Sequence, residues 1–116
     1  MSDVTIYHNP SCGTSRNALA LLREKGVEPR VVEYLKAGWT ESQLSELFSR
    51  MGVSPREVLR VRGTDAEARG LTDPAVADAA ILKAMTENPV LVERPIVVTP
   101  KGAALCRPAE RVLALL

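Results

Sequence analysis

The sequence predicts an α/β fold: a mixed sheet whose βαβ half and ββα half are separated by an all-helical insertion. Three observations predict it. Runs rich in β-branched and aromatic residues at Val4–Tyr7 and Arg30–Leu35 flank a helix-compatible segment, as in a parallel βαβ unit. Strand character returns at Ile96–Thr99 and again at Ala103–Cys106, with only Pro100-Lys101-Gly102 between, which is a hairpin. From about residue 40 to 88 helix-start signatures succeed one another without a strand signal.

Taken in order, Val4–Tyr7 is the first strand, and Asn9-Pro10 breaks it. The helix from Gly13 or Thr14 to Lys25 puts Ala18, Leu19 and Leu22 on one face, and Gly26 is a natural terminator. Arg30–Leu35 is the second strand. Thr40-x-x-Gln43 is a capping box, with Trp39 set to staple onto Leu44, and the stripe Leu44, Leu47, Phe48, Met51 ends at Gly52. Ser54-x-x-Glu57 repeats the device with Pro55 at the first helical position and Val53 facing Val58. Thr64-x-x-Glu67 marks a short helix closed by Gly70. Asp73-Pro74 opens a further one that runs to about Glu87, where Asn88-Pro89 stops it. After the hairpin, Pro108 starts a last helix over Ala109–Leu115. The order βαβ, helices, ββα resembles a thioredoxin-like fold. Residues 1–116 read as one such domain, with no linker, repeat or low-complexity segment.

Composition narrows the function classes. With 46% apolar and 25% charged residues, the 116-residue chain has the make-up of a globular domain with a real core. A net charge of +1 offers no field for nucleic acid or an anionic membrane. No apolar run approaches the roughly 18 residues of a membrane span. The start Met1-Ser2-Asp3-Val4 has no basic or apolar leader, so a cytoplasmic location is expected. Two cysteines far apart and a single histidine make a zinc site unexpected, and a Cys12–Cys106 disulfide is disfavoured in that compartment.

Chemistry concentrates at His8-Asn9-Pro10-Ser11-Cys12-Gly13-Thr14-Ser15-Arg16. Cys12 falls at a strand-to-helix turn, where unsatisfied N–H groups and the positive end of the helix dipole favour a thiolate. Its neighbours Ser11, Gly13, Thr14 and Ser15 are small and polar, unlike a core setting, and the Gly13–Ser15 amides could form an anion-binding nest. Cys12 to Arg16 is C-x3-R, not the C-x5-R of thiol phosphatases, which disfavours that mechanism. His8 is read as a supporting group and Cys106, in Ala103-Ala104-Leu105-Cys106, as structural. Arg60, Arg94 and Arg107 stand at element ends, where a planar guanidinium suits a tetrahedral oxyanion. Physics alone does not make the three converge.

These residues resemble the glutaredoxin-coupled arsenate reductases over nearly the whole chain. The matching blocks are Ile6-Tyr7-His8-Asn9-Pro10-x-Cys12-Gly13-Thr14-Ser15-Arg16-Asn17, Leu59-Arg60, Arg94 through Gly102, and Leu105-Cys106-Arg107-Pro108. The first and last blocks are specific, Leu59-Arg60 is weak alone, and Thr64–Gly70 has no clear counterpart. The chain ends at the final helix, where some members of that family carry a further tail. The resemblance implies that Cys12 attacks arsenic as a thiolate, that Arg60, Arg94 and Arg107 hold the oxyanion, and that His8 and Ser15 support the thiolate. It also implies a cis bond before Pro95. Glutathione is then the second thiol, glutaredoxin the reductant of the resulting mixed species, arsenite the product, and no cofactor or metal is bound. Alternatives are a Spx-like thiol sensor that binds a transcription partner, disfavoured by the absence of Cys-x-x-Cys, and a general glutathione-dependent thiol oxidoreductase.

Overall fold

A computed structural model describes residues 3–116 as two compact units, residues 3–37 with 94–116 and residues 38–93. The first unit carries the sheet. Its strands are β1 (Thr5–Tyr7), β2 (Arg30–Val32), β3 (Ile96–Thr99) and β4 (Gly102–Leu105), in the order β2-β1-β3-β4. β1 pairs parallel to β2 and antiparallel to β3, and β3 pairs antiparallel to β4. This is the mixed βαβ–ββα sheet that the sequence predicts. Helix α1 (Gly13–Glu24) makes the crossover. Its buried Ala18 and Leu22 join Val4, Ile6, Val97, Cys106, Ala109 and Val112 in one apolar cluster.

β2 is shorter than expected. The β-branched run invites a strand to Leu35, but β1 ends at Tyr7, paired with Val32, and the His8 N–H closes the ladder on the Val32 carbonyl at 2.8 Å. Without a partner the chain turns, and Tyr34–Ala37 form a short helix, α2, whose Tyr34 ring is buried. Here pairing overrides residue preference. The last element, Ala109–Leu115, is a 3-10 helix rather than an α-helix. Ala109, Val112 and Leu115 recur every three residues, so three residues per turn line them up against the core. The Thr99 hydroxyl secures its end by donating to the Leu115 carbonyl at 2.6 Å.

The second unit contains α3 (Glu41–Met51), a 3-10 turn at Pro55–Val58, α4 (Asp78–Glu87) and a 3-10 turn at Pro89–Leu91. Thr40 caps α3 by accepting the Gln43 N–H at 3.1 Å. Gly52 ends α3 at φ 70°, a left-handed conformation that suits glycine, while the Val53 N–H reaches back to the Phe48 carbonyl. The Ser54 N–H donates to the Glu57 carboxylate at 2.6 Å, as its capping-box signature predicts.

Three expectations are corrected in this unit. Residues 64–70 are a set of turns, not a helix. The Thr64 hydroxyl donates to the Arg60 and Val61 carbonyls instead of capping a helix, and a single turn is too short to sustain itself. The helix foreseen from Asp73 begins only at Asp78, because the Asp73, Pro74 and Val76 carbonyls are taken by the Arg56 guanidinium. The stretch is also not all-helical. Leu59 and Val92 form an antiparallel bridge, flanked by Arg60 N–H to Leu91 carbonyl at 2.7 Å and Glu93 N–H to Val58 carbonyl at 2.9 Å.

The core assignment has a direct test. Leu22→Ala, at a fully buried position, should lower stability by about 2–5 kcal/mol. Leu113→Ala, at an exposed one, should change it by about 0.5 kcal/mol or less. Urea unfolding followed by circular dichroism measures both, and equal midpoints would contradict the assignment.

Candidate active site

The site forms at one end of the sheet, and strand register explains why. Ile96 pairs with Leu105, so Arg94 and Arg107, each two residues beyond that pair, leave the hairpin at the same end. Tyr7 pairs with Ile96, so β1 also finishes there and delivers the loop that carries Cys12. The hairpin thus brings together two residues that are 13 apart in sequence: the Arg107 guanidinium donates to the Arg94 carbonyl at 3.0 Å and lies 3.7 Å from the Cys12 sulfur. The Cys106 N–H binds the Pro95 carbonyl at 2.9 Å, which ties the segments before β3 and after β4 together. The Arg94-Pro95 peptide is cis, as the resemblance implies, and so is Arg107-Pro108.

Cys12 is the residue before α1, in extended conformation, and its carbonyl accepts the first helical bond, from the Arg16 N–H. Its thiol is half-buried. Burial pushes the thiol up. The Ser15 backbone N–H and the Arg94 and Arg107 side chains outweigh that and bring it down to about 7. A thiol lowered to that value favours the thiolate at neutral pH, and the thiolate is the form of cysteine that can act as a nucleophile. The Arg94 Nε and Nη1 atoms are buried and have no hydrogen-bond partner among the described residues. Buried guanidinium donors left open beside a thiolate suit an oxyanion.

His8 and Ser15 meet. His8 Nδ1 lies 2.6 Å from the Ser15 hydroxyl, and both residues are buried. Burial lowers the His8 pKa from its ordinary value; Glu33 opposes this, while Arg23 and Arg16 add to it. The net direction favours the uncharged imidazole. The contact places His8 against the side chain of Ser15, whose backbone N–H faces Cys12. Cys106 is fully buried, and that burial pushes its thiol up to about 11, in keeping with a structural role.

Arg60 belongs to the second unit. Its guanidinium is mostly buried and bound to the Glu93 carboxylate at 2.7 Å. Sequence reasoning did not foresee Glu93. It also took Asn9 only for half of a strand breaker, although Asn before Pro is itself a turn-forming signal. In the structure Asn9 is buried, and its side-chain oxygen accepts the Ser11 N–H at 2.9 Å. The Arg16 side chain folds back to the Pro10 carbonyl at 2.9 Å, across the outer side of the same loop.

The depressed thiol predicts the pH dependence of alkylation. Iodoacetamide should label Cys12 with a midpoint at about pH 7, fading below it as the thiolate takes up a proton. Cys106 should stay unlabelled at neutral pH in the folded protein. Arg107→Ala should move the Cys12 midpoint up toward the free-thiol value of about 8.5. A wild-type midpoint already at that value would refute the account.

The chain is similar to known proteins in sequence and in structure. An arsenate reductase of Synechocystis sp. is 53% identical over 113 residues, 97% of this chain and 81% of its own length. An arsenate reductase of Escherichia coli is 46% identical over 116 residues, 100% of this chain and 82% of its own. The solved structure of an arsenate reductase from Vibrio cholerae superposes with a TM-score of 0.93 at 39% identity, covering 97% of each chain, which makes the fold thioredoxin-like as the element order predicts. The model of the ArsC family matches residues 7–115, and the chain belongs to that family.

Proposed function

We propose that this chain is an arsenate reductase that converts arsenate to arsenite through a covalent bond between Cys12 and arsenic. The observation that carries the reading is the half-buried Cys12 sulfur flanked by Arg107 and Arg94, with Arg94 donors open. Identity of 46–53% to arsenate reductases over nearly the full chain supports the choice of oxyanion.

In this reading Arg94 and Arg107 bind arsenate oxygens, and the family resemblance adds Arg60 as a third cation. The Cys12 thiolate attacks arsenic, an arsenate oxygen leaves as water, and an S–As bond forms. Fixed cations matter because the charge gathers on the oxygens as the sulfur closes in. Arsenic then gains two electrons from thiols. Cys12 is one and glutathione is the second, which accounts for a site with no cysteine partner beside Cys12. The sulfurs are left as a mixed disulfide, arsenite departs, and glutaredoxin restores the thiol. The reading requires no bound cofactor or metal. Glutathione and glutaredoxin point to the cytoplasm as the working compartment. No helix among the described residues is long and apolar enough to cross a membrane.

The test is NADPH oxidation with arsenate, glutathione, glutaredoxin and glutathione reductase. Arsenate-dependent turnover is expected, and its absence would end the proposal. Cys12→Ser should abolish turnover while Cys106→Ser keeps most of it; equal loss in both would refute a single nucleophile. Arg94→Lys keeps the charge but removes the planar fork, and should cost on the order of 10²–10³ in kcat. Turnover on small disulfides that arsenate does not inhibit would point instead to a general thiol oxidoreductase.

A further inference from the structure

We propose that Asn9 is a positioning residue for the Cys12 thiolate: it joins the loop before Cys12 to the first turn of α1, and so aims the sulfur at its donors. Three bonds of one buried residue make the join. The Asn9 carbonyl accepts the Cys12 N–H at 3.0 Å, which closes a β-turn with Pro10 at its second position. The Asn9 side-chain oxygen accepts the Ser11 N–H at 2.9 Å, an Asx-turn inside the same four residues. The Asn9 N–H donates to the Ser15 hydroxyl at 3.1 Å. The residue is 5% exposed, so water does not readily replace any of these.

The consequence falls on Cys12. Its own N–H is spent on Asn9, so it offers nothing to its sulfur or to a bound anion. The donors left for the sulfur are the Ser15 N–H on α1, Arg94 before β3 and Arg107 after β4. Whether they reach it depends on where the loop sets Cα of residue 12 relative to α1, and the Asn9 bonds at 11, 12 and 15 span that junction. The other charged or titratable groups around the loop are His8, which is bound to Ser15, Arg16, which is folded onto the Pro10 carbonyl, and Glu33 and Arg23, whose charges act on His8. The acceptor at position 9 carries no charge, so it assists the thiolate through geometry alone.

The proposal rests on Cys12 as the nucleophile and not on which oxyanion it attacks, so its test needs no arsenate. Alkylation of Cys12 by iodoacetamide is followed against pH in wild type, Asn9→Ala and Asn9→Ser, with thermal unfolding measured alongside. Asn9→Ala loses the acceptor for Ser11. Its midpoint should rise by about one pH unit toward the free-thiol value. Asn9→Ser keeps a short acceptor able to reach the amide two residues on, and its midpoint should return most of the way to wild type. A folded Asn9→Ala protein with an unchanged midpoint would overturn the proposal, because a purely structural role lowers the unfolding temperature without moving the pH profile. If Asn9→Ala does not fold, Asn9→Gly, which likewise lacks the acceptor for Ser11, decides in its place: a folded protein with the wild-type midpoint would overturn the proposal.

Discussion

Everything at the candidate site depends on holding a negative sulfur partly out of water. Half-burial of Cys12 opposes ionisation, and on its own it would keep the thiol protonated and inert. The opposing donors are few: one backbone amide, at Ser15, and the side chains of Arg94 and Arg107. Such donors replace water only if they are already in place when the charge is, since the gain from a fixed dipole is lost if it must first be oriented. The polar residues packed around Cys12 serve that requirement. The Ser15 hydroxyl is held between His8 and the Asn9 N–H, on the residue whose backbone amide faces Cys12. Burial lowers the His8 pKa and so favours its uncharged form, bound to Ser15.

The sheet supplies the arginines. Two residues so far from Cys12 in sequence arrive beside it because the hairpin closes Ile96 on Leu105 and β1 lies antiparallel to β3 with Tyr7 on Ile96. A shift of one residue in either register would turn the alternating side chains over and disperse the site. Register is itself held by the apolar cluster of Ile6, Val97, Cys106 and Val112. Cys106 therefore matters to the site through packing and through its N–H bond to Pro95, while its thiol stays protonated. In the second unit, the mostly buried Arg60–Glu93 pair holds a guanidinium in a defined position, on a chain path set by the Leu59–Val92 bridge.

The sequence misjudged elements where long-range pairing or a competing side chain decides the outcome. Val31 to Leu35 has strand composition throughout, yet the strand stops where β1 has no further residue to offer. Asp73-Pro74 is a sound helix start, yet Arg56, 17 residues earlier, takes the carbonyl of Asp73 and delays the helix to Asp78. Ala109–Leu115 has apolar residues that fit either an α-helix or a 3-10 helix, and packing chose the latter. By contrast Thr40, Gly52 and the Ser54–Glu57 pair behave as read, because a cap is satisfied within four residues of itself.

The amino-acid sequence by itself determined the class of fold, the order of its elements, the cysteine at a helix start, and the set of arginines that resemble an oxyanion site. These arise from local patterns and short motifs, whose physics acts over a few residues. Only the tertiary structure decided which donors face the Cys12 sulfur, that His8 is buried and bound to Ser15, that Arg94 keeps open donors, and that Asn9 is buried and bonded to residues 11, 12 and 15. The arginine geometry is a matter of distance and burial between residues that the chain brings together only after the sheet has formed, whereas the Asn9 turn has a local signal, Asn before Pro, that says nothing of its burial or its bond to Ser15.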